Sequence, residues 1–140
     1  MALERTLSII KPDAVEKHRA GAIIGRLEHE GFVVKGLKRL HLTRAEVEGF
    51  YAEHHGRGFF DELCTFMSRS PIVVMALERE DAVTKLRELM GATNPANAAE
   101  GCIRKHFAKS IERNCIHGSD APETAEIELR YFFSTLDLQG

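Results

Sequence analysis

Residues Pro71 to Leu77 read PIVVMAL, a run without a single polar side chain. Such a run reads as a buried-type strand, and the rest of the chain has to cover it. Three further segments read as strands: TLSII (Thr6 to Ile10), FVVKGLKRLHL (Phe32 to Leu42) and the short NCIH (Asn114 to His117). Helical signals lie between them. Lys11-Pro12-Asp13 closes the first strand; proline suits a first helical turn, and an aspartate there faces the positive helix end. GAIIGRLEHEG puts Ile23, Ile24 and Leu27 on one helical face and stops at Gly31. Thr43-Arg44-Ala45-Glu46 fits a capping box, and a further helix is expected from about Phe59 to Met67. DAVTKLRELMG (Asp81 to Gly91) reads as a helix with a glycine stop, and Asp120-Ala121-Pro122-Glu123 opens a last helix toward Phe132 and Phe133. From Ala92 to Arg113 no periodicity survives, and a stretch of that length is more often functional than idle. The order β, α, β, α, α, β, α, long loop, β, α packs most simply as an α+β sandwich, one sheet with helices on one face.

The chain of 140 residues is the size of one domain, residues 1–140, with no linker, repeat or low-complexity tract. A formal net charge of −2 argues against a protein whose main task is to coat nucleic acid, though not against a local basic pocket. Cys64, Cys102 and Cys115 form no Cys-x-x-Cys pair. They read as reduced, packing cysteines rather than a disulfide framework or a zinc site. The N-terminal apolar stretch is too short for a signal peptide and no run approaches a membrane span, so a cytoplasmic protein is expected.

Few residues stand out as chemistry. Gly31 to Gly36 has the glycine spacing of a Walker loop, but Leu37 stands where lysine is required. If phosphates are handled, side chains must do it. His117 lies between a short apolar run and a Gly-Ser-Asp turn, with a helix starting just beyond, whose N–H groups and dipole would favour an anion nearby. Glu128, in that helix, could fold back to fix the imidazole tautomer. A packed, hydrogen-bonded histidine is the other reading. Lys11, Arg87 and Arg104 each lie where an element meets a loop. With Thr93 and Asn114 around one histidine they would make a polyphosphate pocket; as isolated residues they are surface charges. Spacing alone does not bring them together.

Several stretches together resemble the nucleoside diphosphate kinase family: ERTLSIIKPDAV, EGFYAEH, Phe59-Phe60, MGATNPANAAEGCIRKHFAKSIERNCIHGSD and AEIEL, in order over essentially the whole chain. Asn-x-x-His-Gly-Ser-Asp is the specific motif, and Lys-Pro-Asp after the first strand supports it independently. The resemblance implies a ferredoxin-like sandwich: a four-stranded antiparallel sheet with helices and a long active-site loop. It implies a ping-pong reaction in which His117 takes the γ-phosphate of a nucleoside triphosphate on Nδ1 and passes it to a nucleoside diphosphate. Glu128 and Ser119 would support the histidine. Lys11 and Asn114 would bind ribose hydroxyls and reacting phosphate oxygens, with Tyr51 close to the transferred group. Arg87, Thr93 and Arg104 would hold the polyphosphate, Mg²⁺ would be carried by phosphates and water without a dedicated protein site, and Phe59 and Ile111 would sandwich the base. A ring that meets only the π-face implies broad base tolerance.

Two positions depart from the family. Arg19-Ala20 precede Gly21 where apolar residues are usual, in a region near subunit contacts, and Gly58 stands where proline usually precedes Phe59. The resemblance also implies a homo-oligomer, and because the chain ends soon after its last helix a tetramer is expected ahead of a hexamer. Two other classes compete with an enzyme. An RNA-recognition module shares the sandwich, but Arg57-Gly58-Phe59-Phe60 departs from its motif and no obligatory nucleic acid is expected. A ligand-sensing domain is the third.

Overall fold

The structure, a computed structural model, describes residues 3–92, 96, 101–108 and 115–139. Four strands form one antiparallel sheet: β1 (Leu3–Ile10), β2 (Val33–Leu40), β3 (Ile72–Glu80) and β4 (Ile116–Gly118), in the spatial order β2-β3-β1-β4. The helices are α1 (Pro12–Glu16), α2 (Ala20–His29), α3 (Arg44–Phe50), α4 (Phe60–Ser68), α5 (Ala82–Met90), α6 (Ile103–Phe107) and α7 (Pro122–Phe132). This is the four-stranded ferredoxin-like arrangement, with the two central strands paired from Leu3↔Glu80 to Ile10↔Val73.

The helices cover both faces of the sheet, not one. Along β3, Ile72, Val74 and Ala76 pack with α3, α4 and α7, while Val73, Met75 and Leu77 pack with α2 and α5. Strand side chains alternate between faces, so an unbroken apolar run has two apolar faces and needs cover on each. β1 does the same, with Leu7 and Ile9 on one side and Ile10 on the other.

Local signals set the element ends. The Thr43 hydroxyl accepts from the Glu46 N–H at 3.2 Å while the Glu46 carboxylate accepts from the Thr43 N–H at 2.8 Å, a complete capping box. α2 ends in a Schellman motif: Gly31 sits at φ 91°, with Gly31 N–H to Glu28 O and Phe32 N–H to Leu27 O both at 3.1 Å. Gly36, its partner in the Walker-like spacing, instead lies at an irregularity of β2, where a Cβ would meet Phe133 at 2.9 Å. In the irregular stretch after Ala92 the five-residue α6 appears.

α4 begins at Phe60, one residue later than the sequence suggests, with Phe59 as its N-cap at φ −87°, ψ −7°. The Phe60 N–H reaches the Arg57 carbonyl at 3.1 Å, so Arg57 to Phe60 form a turn and Phe59 holds the third-residue geometry of type I. Gly58 is then the second residue, where proline is favoured. Its φ is outside the left-handed region and a Cβ there meets nothing within 4 Å. Gly58→Pro is expected to stabilise the fold by about 0.4–1 kcal/mol through the unfolded chain. For a chain of this size that raises the melting midpoint by roughly 1–4 °C. A thermal melt checks it; a lower midpoint would mean that the ring clashes with the turn or with the extended approach it requires of Arg57.

Candidate active site

β4 is the centre of the site. It is held by β1 through Ser8↔Gly118, Ile9↔His117 and Ile10↔Ile116. Ile116 points into the face with α2 and α5, so His117 emerges on the other face. There Phe50 meets its ring edge-on, with centroids 5.8 Å apart. The Ser8 hydroxyl donates to the His117 carbonyl at 2.9 Å, which fixes the backbone as well as the ring. Gly118 has a packing reason beyond its turn: a Cβ would lie 2.6 Å from Met90 Sδ and 2.8 Å from Leu86 Cδ2, so the glycine lets α5 close on the strand.

Glu128 reaches back from α7 and places Oε1 at 2.9 Å from His117 Nε2. The same oxygen accepts from the Ser119 hydroxyl at 2.7 Å. An ionised carboxylate can only accept, so Nε2 carries the proton and the neutral ring has its lone pair on Nδ1. No described residue bonds Nδ1. Tyr51, the C-cap of α3, is buried and packs edge-on against Phe50 at 4.9 Å. Burial, then the charge of Glu128, pushes its phenol far up, so it stays a neutral hydroxyl.

Three cations lie close to β4. Arg104 is only 5% exposed and donates through Nη1 to Gly91 O at 3.1 Å and through Nη2 to Ile116 O at 2.9 Å. Burial, then Arg87, lowers its pKa, and its Nε is buried without a partner among the described residues. Arg87, in the last turn of α5, donates to Gly118 O at 3.2 Å. Lys11 ends β1, and its N–H donates to Cys115 O at 2.8 Å. Burial first, then Arg104, lowers the Lys11 ammonium to about 8, against the pull of Asp13 and Cys115. Lys11, Arg87 and Arg104 therefore converge on the strand that carries His117. Among the described residues no three His, Cys, Asp or Glu side chains gather as a metal cage. Phe59 stands 48% exposed at the head of α4, with His54 5.5 Å away between it and Tyr51. Thr93, Ile111 and Asn114 lie outside the described residues. The three cysteines are buried free thiols, and burial pushes Cys115 up to about 12.

Two contributors were given no part in the site by the sequence. Phe50, inside EGFYAEH, walls the imidazole. Asp13 lies in the first turn of α1 as expected, and is in addition 7% exposed and accepts from the Cys115 N–H at 3.1 Å. Burial raises its carboxyl above the usual range, opposed by its hydrogen bonds and the Lys11 charge.

A profile of the nucleoside diphosphate kinase family matches residues 4–138. The chain belongs to the nucleoside diphosphate kinase family. The nucleoside diphosphate kinase of Sorangium cellulosum (strain So ce56) is 71% identical over 134 residues, 96% of this chain and 93% of that protein. That of Trichlorobacter lovleyi is 58% identical, over 99% of this chain and 100% of that protein. Among solved structures, the Aquifex aeolicus nucleoside diphosphate kinase superposes with a TM-score of 0.96 at 43% identity, over 99% of this chain and 100% of that one. The Halobacterium salinarum enzyme, solved in complex with CDP, gives 0.94 at 36% identity, over 99% of this chain and 93% of that one. The chain is thus a phosphotransferase acting on nucleotides, and nucleoside diphosphate kinases work by ping-pong through a phosphohistidine. No helix among the described residues is long and apolar enough to cross a membrane.

Proposed function

We propose that His117 is the phosphate carrier, attacking the γ-phosphate through Nδ1. The observation that carries this is the 2.9 Å contact of Nε2 with Glu128, which leaves the other nitrogen as the nucleophile. Glu128 and Ser119 hold and polarise the ring, and Tyr51 contacts the transferred group. Lys11 and Asn114 bind the ribose hydroxyls and the reacting oxygens; Arg87, Thr93 and Arg104 hold the polyphosphate. Phe59, exposed beside the site, stacks on the base with Ile111 opposite, which permits purines and pyrimidines alike. The site's donors are cations and hydroxyls, which fit phosphate oxygens rather than a bare metal ion. Mg²⁺ accordingly enters on the nucleotide, and its chemistry there is to neutralise phosphate charge as the group transfers. The chain acts as one domain in the cytoplasm, where three buried free thiols are at home, and it keeps nucleoside and deoxynucleoside triphosphate pools supplied. It self-associates, with a tetramer ahead of a hexamer; Val33 and Leu37, 54% and 48% exposed on the edge strand β2, support self-association. Solution mass decides the number.

Incubation with γ-labelled ATP tests the reading. An acid-labile label on His117 is expected, discharged by any nucleoside diphosphate. A label elsewhere, or none, overturns it.

The Lys11 ammonium gives a pH dependence. As pH rises through about 8 the free enzyme loses this proton and the charge it offers to phosphate. kcat/KM should therefore fall on the alkaline side with a limb near that pH. The limb in kcat should lie higher, because bound polyphosphate stabilises the ammonium. A pH–rate profile checks both, and a kcat/KM flat to pH 10 would remove Lys11 from phosphate binding.

A further inference from the structure

Cys115 has φ 63°, the left-handed region that side chains other than glycine, asparagine and aspartate seldom occupy. It stands two residues before His117 and its side chain is fully buried. Both sides of this strained residue are tied to the end of β1 and the first turn of α1. Its carbonyl accepts from the Lys11 N–H at 2.8 Å, and its N–H donates to Asp13 Oδ2 at 3.1 Å. An aspartate that served only to face a helix end could remain in water; this one is withdrawn from it, with Oδ1 buried and unpartnered among the described residues. A buried carboxylate is retained at such cost where its bond holds something in place.

We propose that Asp13 is a positioning residue for phosphoryl transfer: its carboxylate, through the Cys115 N–H, holds the left-handed turn that aims β4, and so sets where the His117 imidazole meets the phosphate. This rests on the reading of His117 as the carrier. Without the tether the Cys115 N–H is a buried donor without an acceptor, and the residue can relax toward ordinary backbone geometry. The strand that follows is only three residues long, so such a shift reaches His117. Asp13 bonds the Cys115 backbone, while the imidazole is bonded by Glu128, so the effect of Asp13 should appear in the rate of transfer rather than in binding.

The experiment is the single-turnover rate of phosphoenzyme formation with γ-labelled ATP in Asp13→Ala, Asp13→Asn and the double variant Asp13→Ala with Cys115→Gly. Asp13→Ala should slow the step by about tenfold or more while ATP affinity stays within about threefold, since small misplacement of a reacting group costs rate. Asparagine keeps an acceptor for the Cys115 N–H, so Asp13→Asn should stay within about threefold of wild type. Glycine takes φ 63° without help, so the double variant should regain part of the lost rate. A wild-type rate in folded Asp13→Ala overturns the proposal, as does Asp13→Asn as slow as Asp13→Ala. Should Asp13→Ala not fold, Asp13→Asn decides: a tenfold loss in that variant overturns the tether, and a near-normal rate with an unmoved His117 imidazole resonance supports it. A wild-type label at another residue would sink the reading of His117 itself, a result separate from any effect at Asp13.

Discussion

His117→Asn is expected to abolish both half-reactions, with turnover falling by at least about a thousandfold, as loss of a covalent nucleophile does elsewhere. The amide has no lone pair basic enough to take a phosphoryl group, and no described residue near it offers another. Burial holds the Tyr51 phenol protonated, so it is no rival. The fold should survive. The imidazole is partly exposed, and the Glu128 oxygen that loses Nε2–H keeps its bond from the Ser119 hydroxyl at 2.7 Å. No buried acceptor is therefore orphaned, which is what makes most polar substitutions costly. Nucleotide binding should persist, because Lys11, Arg87 and Arg104, the proposed phosphate ligands, lie on other elements. Steady-state turnover, labelling by γ-labelled ATP and nucleotide titration check the three expectations together. More than a few per cent of wild-type turnover would point to another nucleophile.

What the sequence disclosed was local. The capping box at Thr43, the glycine stop at Gly31 and the strand Pro71 to Leu77 each depend on neighbours along the chain, and each appears within a residue or three of its expected limits. The proximity of Glu128 to His117 was also legible, because one turn and two helical turns separate them. The two-faced cover of the sheet was missed although PIVVMAL carries the information: alternation of an all-apolar run leaves no face for water. α6 was missed because five residues are too few to show a period, and its Arg104 is buried by carbonyls of Gly91 and Ile116, which only the fold brings near. The convergence of Lys11, Arg87 and Arg104 on β4 joins residues far apart in the chain, and their spacing is silent about it. The second bond of Asp13 was hidden for the same reason. Its partner Cys115 is 102 positions away. Asp and Cys at those positions look like a helix-end charge and a packing thiol until the left-handed turn is seen.

Lys11→Ala is expected to lower kcat by about a hundredfold or more, the scale on which removal of one preorganised charge donor acts, while KM rises by less than about tenfold. The Lys11 backbone is fixed by its N–H bond to Cys115 O, so its side chain starts from the strand end adjoining β4. Its charge is held at a disadvantage: burial and Arg104 work against the ammonium and outweigh the pull of Asp13 and Cys115. A cation kept in that condition interacts weakly with solvent and strongly with any anion brought to it. Charge on the reacting oxygens redistributes most as the phosphoryl group leaves one partner for the other, so the bond should strengthen in the transition state and the loss should fall on kcat. The same disadvantage sets the expected effect on stability. In the folded chain the charged form is disfavoured relative to the unfolded one, so alanine relieves a cost and the melting midpoint should hold or rise. Steady-state kinetics and a thermal melt on one preparation test the two halves. A variant that loses kcat at an undiminished midpoint identifies a charge spent on the reaction; a rise confined to KM would place Lys11 in ground-state binding alone.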